Sequence, residues 1–314
     1  REWGDFRYTV YLISGMLGTV LACLLTGVTA SNPGTVTYGE TGKGFIELTV
    51  TPNELTSLTE HWFELKNGAW TQITGVGGTS YSPANLPAGS HTIRAAVKSN
   101  GGWALSNAVT VTVNQASIAD ASVSLDHSTF VYDGSEKAPS VTDVVLDAKK
   151  LTAVTDYDVA VESKTNAGSG YTLTVTGKGN YTGKKTVSWT IEPHTIQIPN
   201  ITEGMVTKTY DGTADWDSSK LTTLVFPSAV DDGKSMTLTQ NTDFTLTGHY
   251  DNANAGTGKS VTITVTLKNG NYTFIDRGEN TAKYTFTMPN ASITKAPVAA
   301  PAAAELTVYN GLAK

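Results

Sequence analysis

The chain has 314 residues (33.1 kDa), more than one ordinary domain, and carries a formal net charge of -6 with 16% charged residues. That balance supplies no basic surface for a phosphate backbone, so nucleic acid is excluded as an electrostatic partner, and a mean hydropathy of -0.15 excludes a multi-span membrane protein. With Cys23 as the single cysteine, neither an intrachain disulfide nor a cysteine-based zinc site can form, and stabilisation rests on packing alone.

From Tyr8 to Gly39 the sequence has no charged residue, and Arg1 and Arg7 precede an apolar run ending in Val28-Thr29-Ala30. Three readings stay open. Residues 1–30 form an export signal cleaved after Ala30, or an uncleaved anchor over residues 8–30; alternatively, Thr9 to Val28 supplies strands of a truncated preceding domain. Val20-Leu21-Ala22-Cys23 also has the form of a lipoprotein cleavage box, although apolar residues follow Cys23.

Residues 31–114 predict a β-sandwich. Glu60 to Glu64, followed by Asn67-Gly68 and Trp70, reads as a core strand and hairpin, and Leu86 to Val97 as a late strand pair. Trp62 stands where a cysteine-free sandwich needs bulk at its centre.

Residues 118–193 and 195–295 share four markers in one order. Tyr132-Asp133-Gly134 matches Tyr210-Asp211-Gly212, and Thr155-Asp156-Tyr157 matches Thr242-Asp243-Phe244. Asn166-Ala167-Gly168 matches Asn254-Ala255-Gly256, and Gly179-Asn180-Tyr181-Thr182 matches Gly270-Asn271-Tyr272-Thr273. The first marker returns as Tyr309-Asn310-Gly311. The tyrosines lie 78 and 99 positions apart (132 to 210, 210 to 309), the length of one sandwich per repeat. Between markers, runs such as Val261-Thr-Ile-Thr-Val-Thr-Leu267 alternate with period two, as half-buried strands do. Asp-Gly and Asn-Gly are expected to supply positive φ in tight hairpins, and Asn-Ala-Gly to cap a bend. Residues 296–304 read as an Ala/Pro linker and 305–314 as the start of a truncated next repeat.

These motifs resemble two bacterial families of immunoglobulin-like repeats. Residues 122–193 resemble the shorter MBG type and 195–296 the YDG type of large adhesin-like surface proteins. The resemblance implies an all-β chain of tandem antiparallel immunoglobulin-like β-sandwich domains, beads-on-a-string, secreted or on the bacterial cell surface. It implies no catalytic residues and no cofactor. The expected function is a non-catalytic stalk or adhesion region, anchored to the cell envelope outside this stretch or through residues 8–30, with monomeric modules. Two alternatives remain. Module 31–114 itself binds a glycan or host surface protein, or the repeats are accessories of a secreted polysaccharide-degrading enzyme.

Candidate chemistry is sparse. The five histidines, His61, His91, His127, His194 and His249, show no His-x-x-x-His or His–carboxylate spacing that suggests a site, and no Gly-x-Ser-x-Gly elbow occurs. Asp211, Asp215 and Asp217 are weak calcium candidates without the Asp-x-Asp-x-Asp-Gly loop. Trp62 and Trp189 fall in alternating strands and read as core, whereas Trp103 and Trp216 are the surface candidates for stacking on a sugar ring. Asn180 and Asn271 match the glycosylation pattern, but read here as turns entering a strand.

Overall fold

The computed structural model describes residues 25–52, 57–99 and 102–300. Among them, strands joined by turns dominate, with single 3-10 turns at Pro83–Asn85 and Glu203–Met205 and no α-helix. The chain gathers into two compact units. One comprises Arg1–Ala121, Leu146–Asp158 and Thr176–Lys185, the other Ser122–Val145, Val159–Val175 and Thr186–Lys314.

In the first unit a sheet runs in the order Thr35–Thr37, Val109–Asn114, Gly89–Ser99, Thr59–Lys66, Ala69–Ile73, with Gly102–Leu105 also paired to Gly89–Ser99. A second sheet joins Gly27–Ala30, Ile46–Thr51 and Ser80–Tyr81. Alternation puts Trp62, Ile93, Ala95, Val109, Val111 and Val113 on one face, where they enclose Ile46 and Tyr81. Asn67 and Gly68 both take positive φ and close the Leu65↔Trp70, Lys66↔Ala69 hairpin expected from their sequence. The expected late strand pair is instead one strand, Gly89–Ser99, which pairs on both sides. Gly27–Ala30 is also a strand, paired with Leu48–Thr51 and burying Val28 and Ala30, so cleavage after Ala30 would strip a paired strand from this sheet. Residues 1–24, including Cys23, lie outside the described residues.

Most of a sheet in the order Thr129–Val131, Lys184–Glu192, Gly168–Gly177, Tyr157–Val161 falls in the second unit, where Trp189 is buried against Phe130 and Tyr171. This unit also holds the sandwich that follows. One sheet there is ordered Thr207–Thr209, Lys283–Thr294, Gly256–Leu267, Phe244–Tyr250, and it faces the hairpins Thr223–Pro227/Ser235–Thr239 and Tyr272–Asp276/Glu279–Thr281. Val261, Ile263, Val265 and Leu267, at every second position, meet Phe226, Phe244, Phe274 and Tyr250 in its core.

Most strand pairs are antiparallel, and parallel pairing recurs in two places, one of them the short pairs Ala116–Ser117 with Tyr181–Thr182 and His194–Thr195 with Tyr272–Thr273. The other is a short early strand in each sandwich that lies parallel to the last strand, at Thr35↔Thr112, Thr129↔Thr190 and Thr207↔Ser292. The Tyr-Asp-Gly turns therefore do not close tight hairpins as expected. Gly134 and Gly212 have φ of +83° and +84°, but they stand where the short early strand leaves this parallel pair.

Trp216 is pressed on Gly248, where an added Cβ would lie 2.5 Å from Trp216 Cε3. Gly248→Ala is therefore expected to destabilise this sandwich by about 1–3 kcal/mol through overpacking. Amide hydrogen exchange should quicken in Phe244–Tyr250 and Gly256–Leu267 while Gly89–Ser99 stays unchanged; unchanged exchange in the first two strands would contradict the contact.

Candidate functional site

The repeated Gly-Asn-Tyr-Thr turns perform one task twice, once in each unit. In the first unit Asn180 Oδ1 accepts the N–H of Ala88 at 2.8 Å, and the Tyr181 ring meets Tyr38 edge-on at 5.5 Å and 87°. In the second, Asn271 Oδ1 accepts the N–H of Ala167 at 2.8 Å, and Tyr272 meets Tyr132 at 5.3 Å and 84°. Asn271 Nδ2 also donates to Asn166 Oδ1 at 3.2 Å. Each turn further takes up the chain entering its own module. Ala116–Ser117 lies parallel to Tyr181–Thr182, and His194–Thr195 to Tyr272–Thr273. The N–H groups of Ala116 and Ile118 donate to Asn180 O and Thr182 O, and those of His194 and Ile196 to Asn271 O and Thr273 O. A joint thus combines a carboxamide on a loop N–H, an edge-to-face tyrosine pair and a short parallel strand. The aromatic pair contributes about 0.5–1.5 kcal/mol beyond its buried area, and each hydrogen bond about 1 kcal/mol net.

Each joint borders a shallow cleft. The first, about 330 Å³, is lined by Tyr38, Glu40, Lys149 and Tyr181 among others. Lys149 Nζ lies 4.9 Å from the Tyr38 ring centroid and 5.6 Å from that of Tyr181, and hydrogen bonding to the Tyr181 hydroxyl, helped by Tyr38, raises its pKa. The second, about 430 Å³, is lined by Tyr132, His194, Lys234 and Tyr272 among others, and burial lifts the Tyr272 phenol to about 12.

The loops offering the N–H groups are braced from behind. His91 Nε2 lies 2.7 Å from Pro87 O and its Nδ1 2.6 Å from the buried Glu64, which fixes the Pro87-Ala88 loop. Burial pushes the Glu64 pKa up, but hydrogen bonds from His91 and Lys66 outweigh it and hold the carboxyl below its usual value. In the second joint the Tyr171 hydroxyl donates to Asn166 O at 2.9 Å. His91 with Glu64, and His249 with Asp215 at 3.1 Å, are His–carboxylate pairs that linear spacing did not reveal; the strand pairing of Glu64 with Ile93 brings the first pair together.

Most residues singled out from the sequence prove to be turn chemistry. Asp133 Oδ1 accepts the Ser135 N–H and hydroxyl, and hydrogen bonds from Lys137 and Ser135 depress its pKa well below the carboxylate range. Asp211 does the same for Thr213, and the Lys208 ammonium helps to lower its pKa to about 2. Asp217 Oδ1 accepts the Ser219 N–H and Asp215 faces His249, so Asp211, Asp215 and Asp217 serve three local partners; among the described residues no metal-holding cluster forms. A Cβ added at Gly168 would sit 2.6 Å from the Tyr171 hydroxyl, so the end of that ring would have to shift, whereas Gly256 has open space. Positive φ falls two positions later, at Gly170 and Gly258. The Asn254 N–H donates to Asn252 Oδ1. Asn310 and Gly311 lie outside the described residues.

Trp62 and Trp189 are core, as their alternation predicts, but Trp216 is not a surface residue. It is 6% exposed and its indole N–H donates to Met205 O. Trp103 is 42% exposed, stacks on His61 at 5.5 Å and 27°, and lies under Lys98. On the same outer sheet face the Arg94 guanidinium covers Trp70 at 4.0 Å and Leu65 and Leu105 are exposed. This is a second candidate surface, aromatic and flanked by cations.

Residues 192–295 match the YDG domain family. No curated protein matches the chain. Among solved structures, the Bacteroides ovatus mixed-linkage glucan utilization locus protein SGBP-B, in complex with a mixed-linkage heptasaccharide, is 14% identical with a TM-score of 0.21, covering 86% of this chain and 71% of that one. Three N-terminal domains of the bacteriophage RB49 highly immunogenic outer capsid protein are 9% identical with a TM-score of 0.25, covering 87% and 100%. A mouse cadherin-23 fragment is 10% identical with a TM-score of 0.20, covering 86% and 99%.

Asn271→Ala would leave the Ala167 N–H without its acceptor, at a cost of about 1–3 kcal/mol to the joint. Exchange at the Ala167 amide should accelerate in this variant while Ile263 and Val265 exchange as before. An unchanged Ala167 amide would show that the carboxamide does not hold the loop.

Proposed function

We propose that this chain is a non-catalytic segment of a secreted or cell-surface bacterial protein, in which tandem immunoglobulin-like modules space and present binding domains. The observation that carries this reading is the joint itself. Two successive turns of one sequence seat on two preceding loops with the same hydrogen bond and ring pair, an arrangement suited to setting one sandwich on the next. Residues 118–193 are read as a module of the MBG type, preceding the YDG domain. The aromatic face around Trp103, His61, Trp70 and Arg94 favours a second, compatible reading, in which the N-terminal sandwich binds a glycan or a host surface protein through sugar or side-chain stacking.

One set of assays tests both readings. The full chain, incubated with a panel of polysaccharides, glycopeptides and peptides, is expected to release no product, and protease added to intact parent cells is expected to remove it. Glycan retention that weakens about tenfold or more in Trp103→Ala, a loss in the range of base- or sugar-type stacking, would support the second reading. Product formation would overturn the non-catalytic reading, and protease resistance on intact cells would overturn the surface location.

A further inference from the structure

The sandwich matching the YDG family carries the receiving half of a third joint. Tyr210 directly follows the strand Thr207–Thr209, and its N–H donates to Thr294 O at 2.8 Å, just as Tyr38 donates to Asn114 O (2.8 Å) and Tyr132 to Glu192 O (2.9 Å). Tyr38 and Tyr132 are each covered by the tyrosine of the next turn, whereas Tyr210 is 45% exposed. Asn254-Ala255 stands where Asn166-Ala167 receives Asn271, and Ala255 is exposed. Its loop is already braced: the buried Lys259 ammonium donates to Asn252 O at 3.3 Å and Asn252 Oδ1 at 2.6 Å, and pairs with Asp251 at 3.4 Å.

The chain leaving this sandwich completes the pattern. Two residues past the last strands, which end at Asn114 and Glu192, Ala116 and His194 begin the parallel pairing with the next turn. Two further on, Ile118 and Ile196 are 0% and 2% exposed. The last strand here ends at Thr294, so the matching positions are Ala296 and Val298, and Val298 is 92% exposed. In the two formed joints, the N–H groups at the first and third of these positions reach the turn's carbonyls. A parallel pairing uses alternate residues, so Pro297 at the middle position removes no needed donor. Thr307-Val308-Tyr309-Asn310-Gly311 then repeats the Tyr-x-Gly opening of a module of this kind.

We infer that Tyr210, the Ala255 N–H and Val298 form a docking surface for a following module that presents a Gly-Asn-Tyr-Thr turn. Residues 296–298 are thus the first strand of that joint and not part of a loose linker. The inference extends the joint geometry and does not depend on the surface or adhesive role. It makes the assembly rule local, because the two sandwiches that carry a Gly-Asn-Tyr-Thr turn each have a plug for the module before them and a socket for a module after them.

The test fills the socket. Residues 1–298 are continued by a second copy of residues 197–295, so that a Gly-Asn-Tyr-Thr turn follows in the register of the existing joint. Exchange at the Ala255 amide of the first copy should slow by about tenfold or more relative to the unextended chain. With Asn271→Leu and Tyr272→Ser in the second copy only, it should return to the original rate. No slowing, with the second copy's Gly256–Leu267 strand protected, would overturn the inference. A companion variant of the unextended chain, His194→Ala with Thr195→Pro and Ile196→Val, places the Ala-Pro-Val sequence in the formed joint. Ala167 should stay protected there, and its loss of protection with Gly256–Leu267 still protected would equally overturn the inference.

Discussion

The arrangement depends on one constraint, that a loop N–H taken out of water must find an acceptor. Ala88 and Ala167 lie on loops covered by the turn that follows, and no strand neighbour serves them. An asparagine carboxamide reaching from the next module supplies that acceptor, and its directionality sets the loop–turn geometry in a way that an apolar contact does not. The tyrosine pair beside it adds buried area with a preferred edge-on geometry, and the short parallel strand ties the entering chain to the same turn. Removing the asparagine would strand the N–H rather than merely lose a contact, which is why it is the sensitive element.

The braces behind the docking loops show that this geometry is prepared in advance by different chemistry. An imidazole–carboxylate pair holds Pro87, a phenol holds Asn166, and a buried ammonium holds the 251–252 bend. Each meets the same need, to present an N–H outward at low conformational cost on docking. Glu64 and His91 therefore read as support for a loop, although a close His–carboxylate pair elsewhere would suggest proton transfer.

Much of the fold was legible because period-two runs and turn residues are local signals. Val261 to Leu267 alternates as a strand with one buried face, and Asn67-Gly68 closes the hairpin its φ preference predicts. The joints were legible only as recurrences. Asn180 and Asn271 were visible as repeated turn residues, but their acceptor role spans 92 and 104 positions, and such separations are invisible to local pattern. The reading of Trp216 failed for a related reason: its neighbours Asp215 and Asp217 face solvent while Trp216 turns inward onto Gly248. An acidic flank describes the outward face of an extended segment and says little of the residue between. Gly168 reads as a turn glycine, yet the positive φ falls at Gly170 and the near neighbour of Gly168 is the Tyr171 hydroxyl.

The central claim is that one joint is built twice on the same hydrogen bond, at Ala88 and Ala167, and residue-resolved amide exchange of the full chain tests it most directly, with the exposed Ala255 as the comparison. The account predicts slow exchange at Ala88 and Ala167, whose N–H groups are held by Asn180 and Asn271, and exchange near the unprotected rate at Ala255. Equal rates at the three alanines, whether all slow or all fast, would contradict it.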